Sequence, residues 1–285
     1  MTRGRGEGET GGRKINSPRH RVSQSALPGG TMLLAIDIGN TNIVLGVFDK
    51  ERLVENWRVG TNTQITPDEY AMIFKDLFGF AKLEFQQITG VIISTVVPPL
   101  LPVMIEMSRK YFRIEPLVVT HELKTGITIR YDNPKEVGAD RIVNAAAAYQ
   151  RYGGPIIIVD FGTATTFCAV TAGGEYLGGA ICPGVKISAE ALFQRASKLP
   201  RVELTKPAKV INADTISAMQ SGIIYGYAGL VDGIVERMKQ ELSLAAKVIA
   251  TGGLAELISP ETKSIQEIKP QLTLEGLRLL FEINH

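Results

Sequence analysis

The sequence predicts an α/β protein built as two related halves, each a mixed β-sheet flanked by helices. Three observations carry this. The segments "LLAIDIGNTNIVLGVFD" and "PIIIVDFGTATTFCAVTA" share one plan: an apolar run, Asp-x-Gly followed by small polar residues, and a second apolar run. Their aspartates, Asp37 and Asp160, stand 123 residues apart, as in an internal duplication. Elsewhere strands alternate with helical segments, a pattern that calls for parallel strands covered by helices. With 285 residues, 45% of them hydrophobic and 21% charged, the chain can bury the cores of two comparable domains.

Taken in order, "MLLAIDIG", "NIVLGVFD" and "RLVENWRVG" read as three strands joined by short polar turns, a hairpin meander. "TPDEYAMIFKDLFGF" follows as a helix, with Thr66 as N-cap, Pro67 at the first position and acids in the first turn. "VIISTV" is a short apolar strand stopped by Pro98 and Pro99, "LLPVMIEMSRKYF" a helix, and "PLVVT" a further strand. Residues 138–152 form a helix on the strength of an alanine run. The second Asp-x-Gly hairpin comes next, then "GGEYLGGAICPG" as a glycine-rich link, the helix "VKISAEALFQRAS", and a long helix from near Asp214. Gly222, Gly226, Gly229 and Gly233 share one face of that helix. Each glycine costs about 1 kcal/mol in a helix interior, so something is expected to pack closely there, a partner subunit or the sheet. A strand "KVIATGG", a short helix "LAELI" and "TLEGLRLLFEIN" close the chain. The expected domains are a disordered basic tail over 1–31, an N-terminal domain over 32–148 and a C-terminal domain over 149–285.

Composition removes several classes of function. Residues 1–31 carry a net +4 within an overall +2, so the remainder stands at −2 and offers no basic surface for nucleic acid. That tail also lacks the apolar centre of a signal peptide, and it is given no function. No apolar run approaches the roughly 20 residues needed to span a membrane. Two cysteines, Cys168 and Cys182, support neither a disulfide scaffold nor an iron–sulfur site and suit a reducing cytoplasm. His20, His121 and His285 do not cluster with acids.

The turns carry the chemistry. Glycine and small polar residues at a strand–turn–strand junction let backbone N–H groups approach an anion. In "DIGNTN" the donors are Gly39, Asn40, Thr41 and Asn42. A carboxylate beside such a turn needs a bridging cation to meet phosphate, and Mg2+ favours that combination of ligands. Two turns facing one another would hold a nucleoside triphosphate between the domains. "VIATGG" ends in Gly252 and Gly253, which allow adenine and ribose a close backbone approach. As an alternative, Asp-Gly and Asn-Thr merely make hairpin turns, a reading that two copies with matching flanks weaken.

Seven segments in order, "DIGNTN", "YDNP", "GADR", "DFGTATT", "GGAICPG", "ADTISAMQSG" and "ATGG", resemble the type III pantothenate kinases. These belong to the superfamily of acetate and sugar kinases, heat-shock chaperones and actin. The likeness runs from Leu33 to about Leu257 and leaves out the basic tail. It implies two ribonuclease-H-like domains with a nucleotide cleft between them. It also implies ATP-dependent phosphorylation of the primary hydroxyl of pantothenate, the first step towards coenzyme A, by a cytoplasmic homodimer.

Roles follow from that resemblance. The resemblance makes Asp140 the base that orients the attacking hydroxyl and takes its proton; read from the residues alone, a helix N-cap is the favoured role. Arg141 suits the pantothenate carboxylate, its alternative being a solvent-facing helix position. Tyr131, Gly138 and Ala139 complete the acceptor pocket, and Thr215 reaches it across the dimer interface, unless it or Asp214 only caps the long helix. Asp37 handles Mg2+ and phosphate, with Gly39, Asn40, Thr41 and Asn42 lining the phosphates, while Thr163, Gly252 and Gly253 contact the nucleotide. The resemblance gives Asp160 a monovalent cation, K+ or NH4+, although the residues alone do not distinguish it from Mg2+. Two rivals share the turns: another small-molecule kinase of the superfamily, with no reason for "YDNP" before "GADR", and a non-catalytic nucleotide-binding accessory to transcription, expected to have lost Asp140.

Overall fold

Two five-stranded arrangements with the same order and the same pairing senses form the frame of the protein. The computed structural model describes Met1 and residues 32–285; the tail expected to be disordered lies outside the described residues. In the first sheet β1 (Met32–Ile38), β2 (Asn42–Asp49) and β3 (Arg52–Gly60) form the antiparallel meander. Strands β4 (Ile88–Thr95) and β5 (Leu117–Val118) add in parallel on the other side of β1, giving the order β3-β2-β1-β4-β5. Helix α1 (Pro67–Phe80) starts where its sequence indicates. The Thr66 hydroxyl accepts from the Glu69 N–H at 3.3 Å, and the Glu69 carboxylate accepts from the Thr66 N–H at 2.7 Å, a reciprocal capping box. Its Phe74 and Phe78, with Met104 of α2 (Leu100–Met107), bury the outer face of this sheet against Ile36 and Leu45.

The second sheet runs β11-β10-β7-β8-β9-β6. Its strands are β6 (Thr128–Ile129), β7 (Ile156–Phe161), β8 (Ala164–Val170), β9 (Glu175–Pro183), β10 (Lys247–Thr251) and β11 (Glu267–Ile268). Strands β7, β8 and β9 are successively antiparallel, and β10 and β11 add in parallel beyond β7. The series β9-β8-β7-β10-β11 thus repeats β3-β2-β1-β4-β5 strand for strand. The duplication inferred from two short motifs extends to the whole mixed-sheet topology.

One segment departs from its sequence reading. The glycine-rich "link" is strand β9, which pairs with β8 throughout and is irregular only near Ala169/Val170. There Gly178 and Gly179 take φ of +98° and +154°, backbone that residues with a Cβ rarely adopt. The glycines permit a bulge inside a strand, where sequence alone suggested a loop.

Two helices occupy the layer between the sheets. On α3 (Ala139–Tyr152), Ile142, Ala145 and Ala148 pack on Ile158 and Tyr176 of the second sheet. Val143 and Ala146, on its other side, join Ala35 and Ile92 of the first sheet and Leu277 of α7 (Leu272–Ile283). Residues 141–148 are all buried, so the alanine run serves a helix enclosed on both sides as well as helix propensity. Helices α4 (Val185–Arg195), α5 (Thr215–Leu242) and α6 (Ala255–Ile258) cover the outer face of the second sheet. A Cβ at Gly222, Gly226 or Gly229 of α5 would meet nothing within 4 Å. The glycine face therefore does not pack on the sheet, which removes one of the two expected neighbours. Among the described residues no helix is long and apolar enough to cross a membrane.

Candidate active site

Three carboxylates meet where the sheets and α3 converge. Asp37 sits near the end of β1, Asp160 near the end of β7, and Asp140 in the first turn of α3. Gly138 takes the N-cap position of that helix, so the cap reading for Asp140 is overturned. The Asp140 carboxylate instead accepts from the Arg141 N–H at 2.8 Å, one residue further on. Burial, then the neighbouring charges of Asp140 and Asp160, push Asp37 up to about 7. Burial and Asp140 likewise push Asp160 up to about 7. Asp140 is also raised, chiefly by burial, with the Arg141 N–H and guanidinium opposing. The Arg58 guanidinium opposes the rise at both Asp37 and Asp160.

All three keep some accessible surface, so they line a cleft that solvent enters. Carboxylates so crowded favour an added cation. Among the described residues no three His, Cys, Asp or Glu side chains are close enough to enclose a metal by themselves. A cation there would complete its shell with water and ligand oxygens, as Mg2+ ordinarily does.

The two turns touch. The hydroxyls of Thr41 and Thr163 lie 2.8 Å apart, joining the halves at the mouth of the cleft. Within the turns the Gly39 N–H donates to the Asn42 carbonyl at 3.0 Å and the Gly162 N–H to the Ala164 carbonyl at 3.1 Å. Gly39 is thus engaged in its own turn and does not donate outward; Asn40 and Thr41, both exposed, form the tip. Asn42 is the first residue of β2. Gly252 has φ +91°, and a Cβ there would collide with the Asp160 carboxylate and the Phe161 backbone. A Cβ on Gly253 would stand 2.9 Å from the Arg58 guanidinium.

The other flank is built around Arg141, which is 7% exposed and not the solvent-facing residue that its position in a helix would allow. Its Nε donates to the Cys168 sulfur at 3.3 Å, its guanidinium lies 5.8 Å from the centre of the Tyr176 ring, and its buried Nη2 has no hydrogen-bond partner. Such an orphan donor is costly unless a ligand accepts from it. Tyr131, in the loop after β6, has its ring 6.5 Å from that of Tyr176 and lies over Gly178, where a Cβ would be 2.8 Å away. Thr215 lies elsewhere. It is the first residue of α5, behind the Asp214 N-cap, and lines a groove of about 970 Å3 between α4 and α5 that none of the other candidates lines.

Sequence reasoning missed several members of this site. The Asn144 amide donates to Asp160 Oδ2 at 3.1 Å, and its carbonyl oxygen accepts from the Thr273 hydroxyl of α7 at 2.8 Å. Asn144 follows Asp140 by four residues, so helical spacing could have flagged it as facing the same way. Ser94, opposite Asp37 in the β1–β4 register, is fully buried with an unpartnered hydroxyl. Cys168, Tyr176 and Arg58 gave no local signal.

A sequence profile described as type III pantothenate kinase matches residues 33–237. A type III pantothenate kinase of Geobacter sulfurreducens is 60% identical over 253 residues, covering 89% of this chain and 99% of that one. That of Myxococcus xanthus is 55% identical over 254 residues, with coverage of 89% and 99%. Among solved structures, the ethanolamine utilization protein EutJ from Carboxydothermus hydrogenoformans superposes with a TM-score of 0.55 at 18% identity, over 89% of this chain and 91% of that one, a likeness of fold alone.

Proposed function

The chain belongs to the type III pantothenate kinase family, and from that premise we propose how its residues carry out ATP-dependent phosphorylation of pantothenate to 4'-phosphopantothenate, the first step of coenzyme A biosynthesis. The observation that carries the assignment of roles is the convergence of Asp37, Asp140 and Asp160 beside Arg141, a buried arginine with a free donor.

Arg141 anchors the pantothenate carboxylate, with Tyr131, Gly138 and Ala139 lining the rest of the pocket. Neighbouring residues of a helix point about 100° apart. The same turn therefore aims Arg141 at β8 and β9 and Asp140 at the cleft. An acceptor fixed at its carboxylate end then presents its primary hydroxyl to Asp140. The hydroxyl oxygen attacks the γ-phosphorus, the bond from that phosphorus to the β–γ bridging oxygen breaks, the proton passes to Asp140, and ADP leaves. Phosphoryl transfer depends mostly on position and charge, and a carboxyl raised above the ordinary range accepts that proton more readily.

Asn40, Thr41, Asn42 and Thr163 take the phosphates, Gly39 setting the turn, with Gly252 and Gly253 at the nucleoside. Mg2+ at Asp37 and K+ or NH4+ at Asp160 would supply the positive charge that three raised carboxylates and a triphosphate together demand. The open glycine face of α5 and the adjoining groove suit a second copy of the chain, from which Thr215 would complete the partner's acceptor pocket. Free Cys168 and Cys182 agree with a cytoplasmic setting.

The test is ADP release from ATP and Mg2+, with and without pantothenate, in K+ and in Na+, for the wild type and Asp140→Asn. The expected result is pantothenate-dependent release that falls by about 10²–10⁴-fold in the variant while ATP still binds. Release independent of pantothenate, or an undiminished variant, would refute the assignment.

A further inference from the structure

Cross-strand register singles out a residue that no motif contains. In the first sheet Asp37 pairs with Val44, and Val44 with Arg58. Residues opposite one another in adjacent strands share a face of the sheet, so Asp37 and Arg58 project the same way two strands apart. At about 4.8 Å per strand that is roughly 10 Å between backbones, an interval the long arginine side chain can cross above Val44. The guanidinium ends where a Cβ on Gly253, in the turn after β10, would stand 2.9 Å from it. Arg58 therefore reaches from the first sheet across the opening of the cleft to the glycine turn of the second.

The equivalent row of the second sheet holds no charge beyond its aspartate. Asp160 pairs with Thr166, and Thr166 with Ile181. The duplication loses its symmetry at the third strand, where one half has a guanidinium and the other a side chain that cannot bind an anion. Arg58 is exposed, and among the described residues no carboxylate comes close enough to pair with it. Arg58 offsets the charge of Asp37 and Asp160 without forming an ion pair with either, and its guanidinium stands at the glycine turn with donors to spare. A triphosphate entering there meets strong negative charge, and a guanidinium offers it paired donors in fixed geometry.

We propose that Arg58 is a catalytic residue of the nucleotide site, its guanidinium binding the β- and γ-phosphoryl oxygens of ATP between the Asp37 turn and Gly253. This rests on the kinase reading above. Arg58 holds the terminal phosphate against the repulsion of the carboxylates and carries part of the charge that develops as the γ-phosphoryl group transfers.

The experiment is titration calorimetry of ATP, ADP and adenosine against the wild type, Arg58→Lys and Arg58→Gln, with kcat and KM for ATP from the same preparations and thermal melts to show that each is folded. In Arg58→Gln, ATP affinity is expected to fall about tenfold to a hundredfold, the range for a lost charge-assisted hydrogen bond. ADP should lose less, adenosine less than twofold, and kcat should fall as well. Arg58→Lys keeps the charge without the fork and lies between. Unchanged ATP affinity and kcat in folded Arg58→Gln overturn the proposal, as does an equal loss for ATP and adenosine. A wild type that binds no ATP overturns the kinase reading itself, an outcome distinct from either.

Discussion

Asp37→Asn should stabilise the protein while abolishing its activity, and the size of the effect can be worked out. The carboxyl moves from an ordinary 3.8 to about 7 on folding, held there by burial and by Asp140 and Asp160. At about 1.36 kcal/mol per pH unit this is about 4 kcal/mol of destabilisation when the group is ionised. Residual contact with water, and the sharing of the repulsion among three acids, reduce it to about 2 kcal/mol. The sign follows from linkage: between pH 4 and 7 the folded state binds the extra proton, so stability falls as pH rises through that window and the penalty is complete above 7. A neutral amide removes it. Thermal melts at pH 8 should place the variant about 4–8 °C above the wild type, and melts at pH 4.5 should bring the two together. Mg2+ without nucleotide should raise the wild-type midpoint at pH 8 and leave the variant nearly unmoved. Equal midpoints at pH 8, or a gap that persists unchanged at pH 4.5, would refute the reasoning that crowded carboxylates oppose folding here.

Three further outcomes test the surrounding structure. Asn144→Ala removes the donor to Asp160 and strands the Thr273 hydroxyl; urea unfolding at pH 8 should show a loss of about 1–3 kcal/mol, with a weaker response of activity to K+. Gly179→Ala drives a Cβ into the Phe167 carbonyl at a φ of +154°, and the variant should fail to yield folded protein as judged by near-ultraviolet circular dichroism. In Gly226→Leu the new Cβ has nothing within 4 Å and the substitution favours helix by about 1 kcal/mol, so the single chain should be no less stable. If a second copy seats on that face, sedimentation should show the variant dissociating, with activity lost alongside; an unaltered dimer would remove this face from the interface.

Local sequence specified the repeated hairpins, because an apolar run broken by Asp-x-Gly and small polar residues is written in consecutive positions. It determined the start of α1, where Thr66, Pro67 and Glu69 act within one turn, and α3, whose alanines favour helix anywhere. It also presented the aspartates of all three converging positions. The tertiary structure alone decided that the glycine-rich "GGEYLGGAICPG" pairs as β9, since a bulged strand depends on the neighbour that fixes its register. It decided that Arg141 is buried against Cys168 and Tyr176, and that Asn144 braces Asp160 through contacts 16 and 129 residues apart in the chain. It put Arg58 on the Asp37 face, two strands away, and against Gly253. Local patterns record dihedral preference and the side on which a residue is buried. Which charge opposes which carboxylate is set by strand register and by the approach of two sheets, and those are properties of the folded chain.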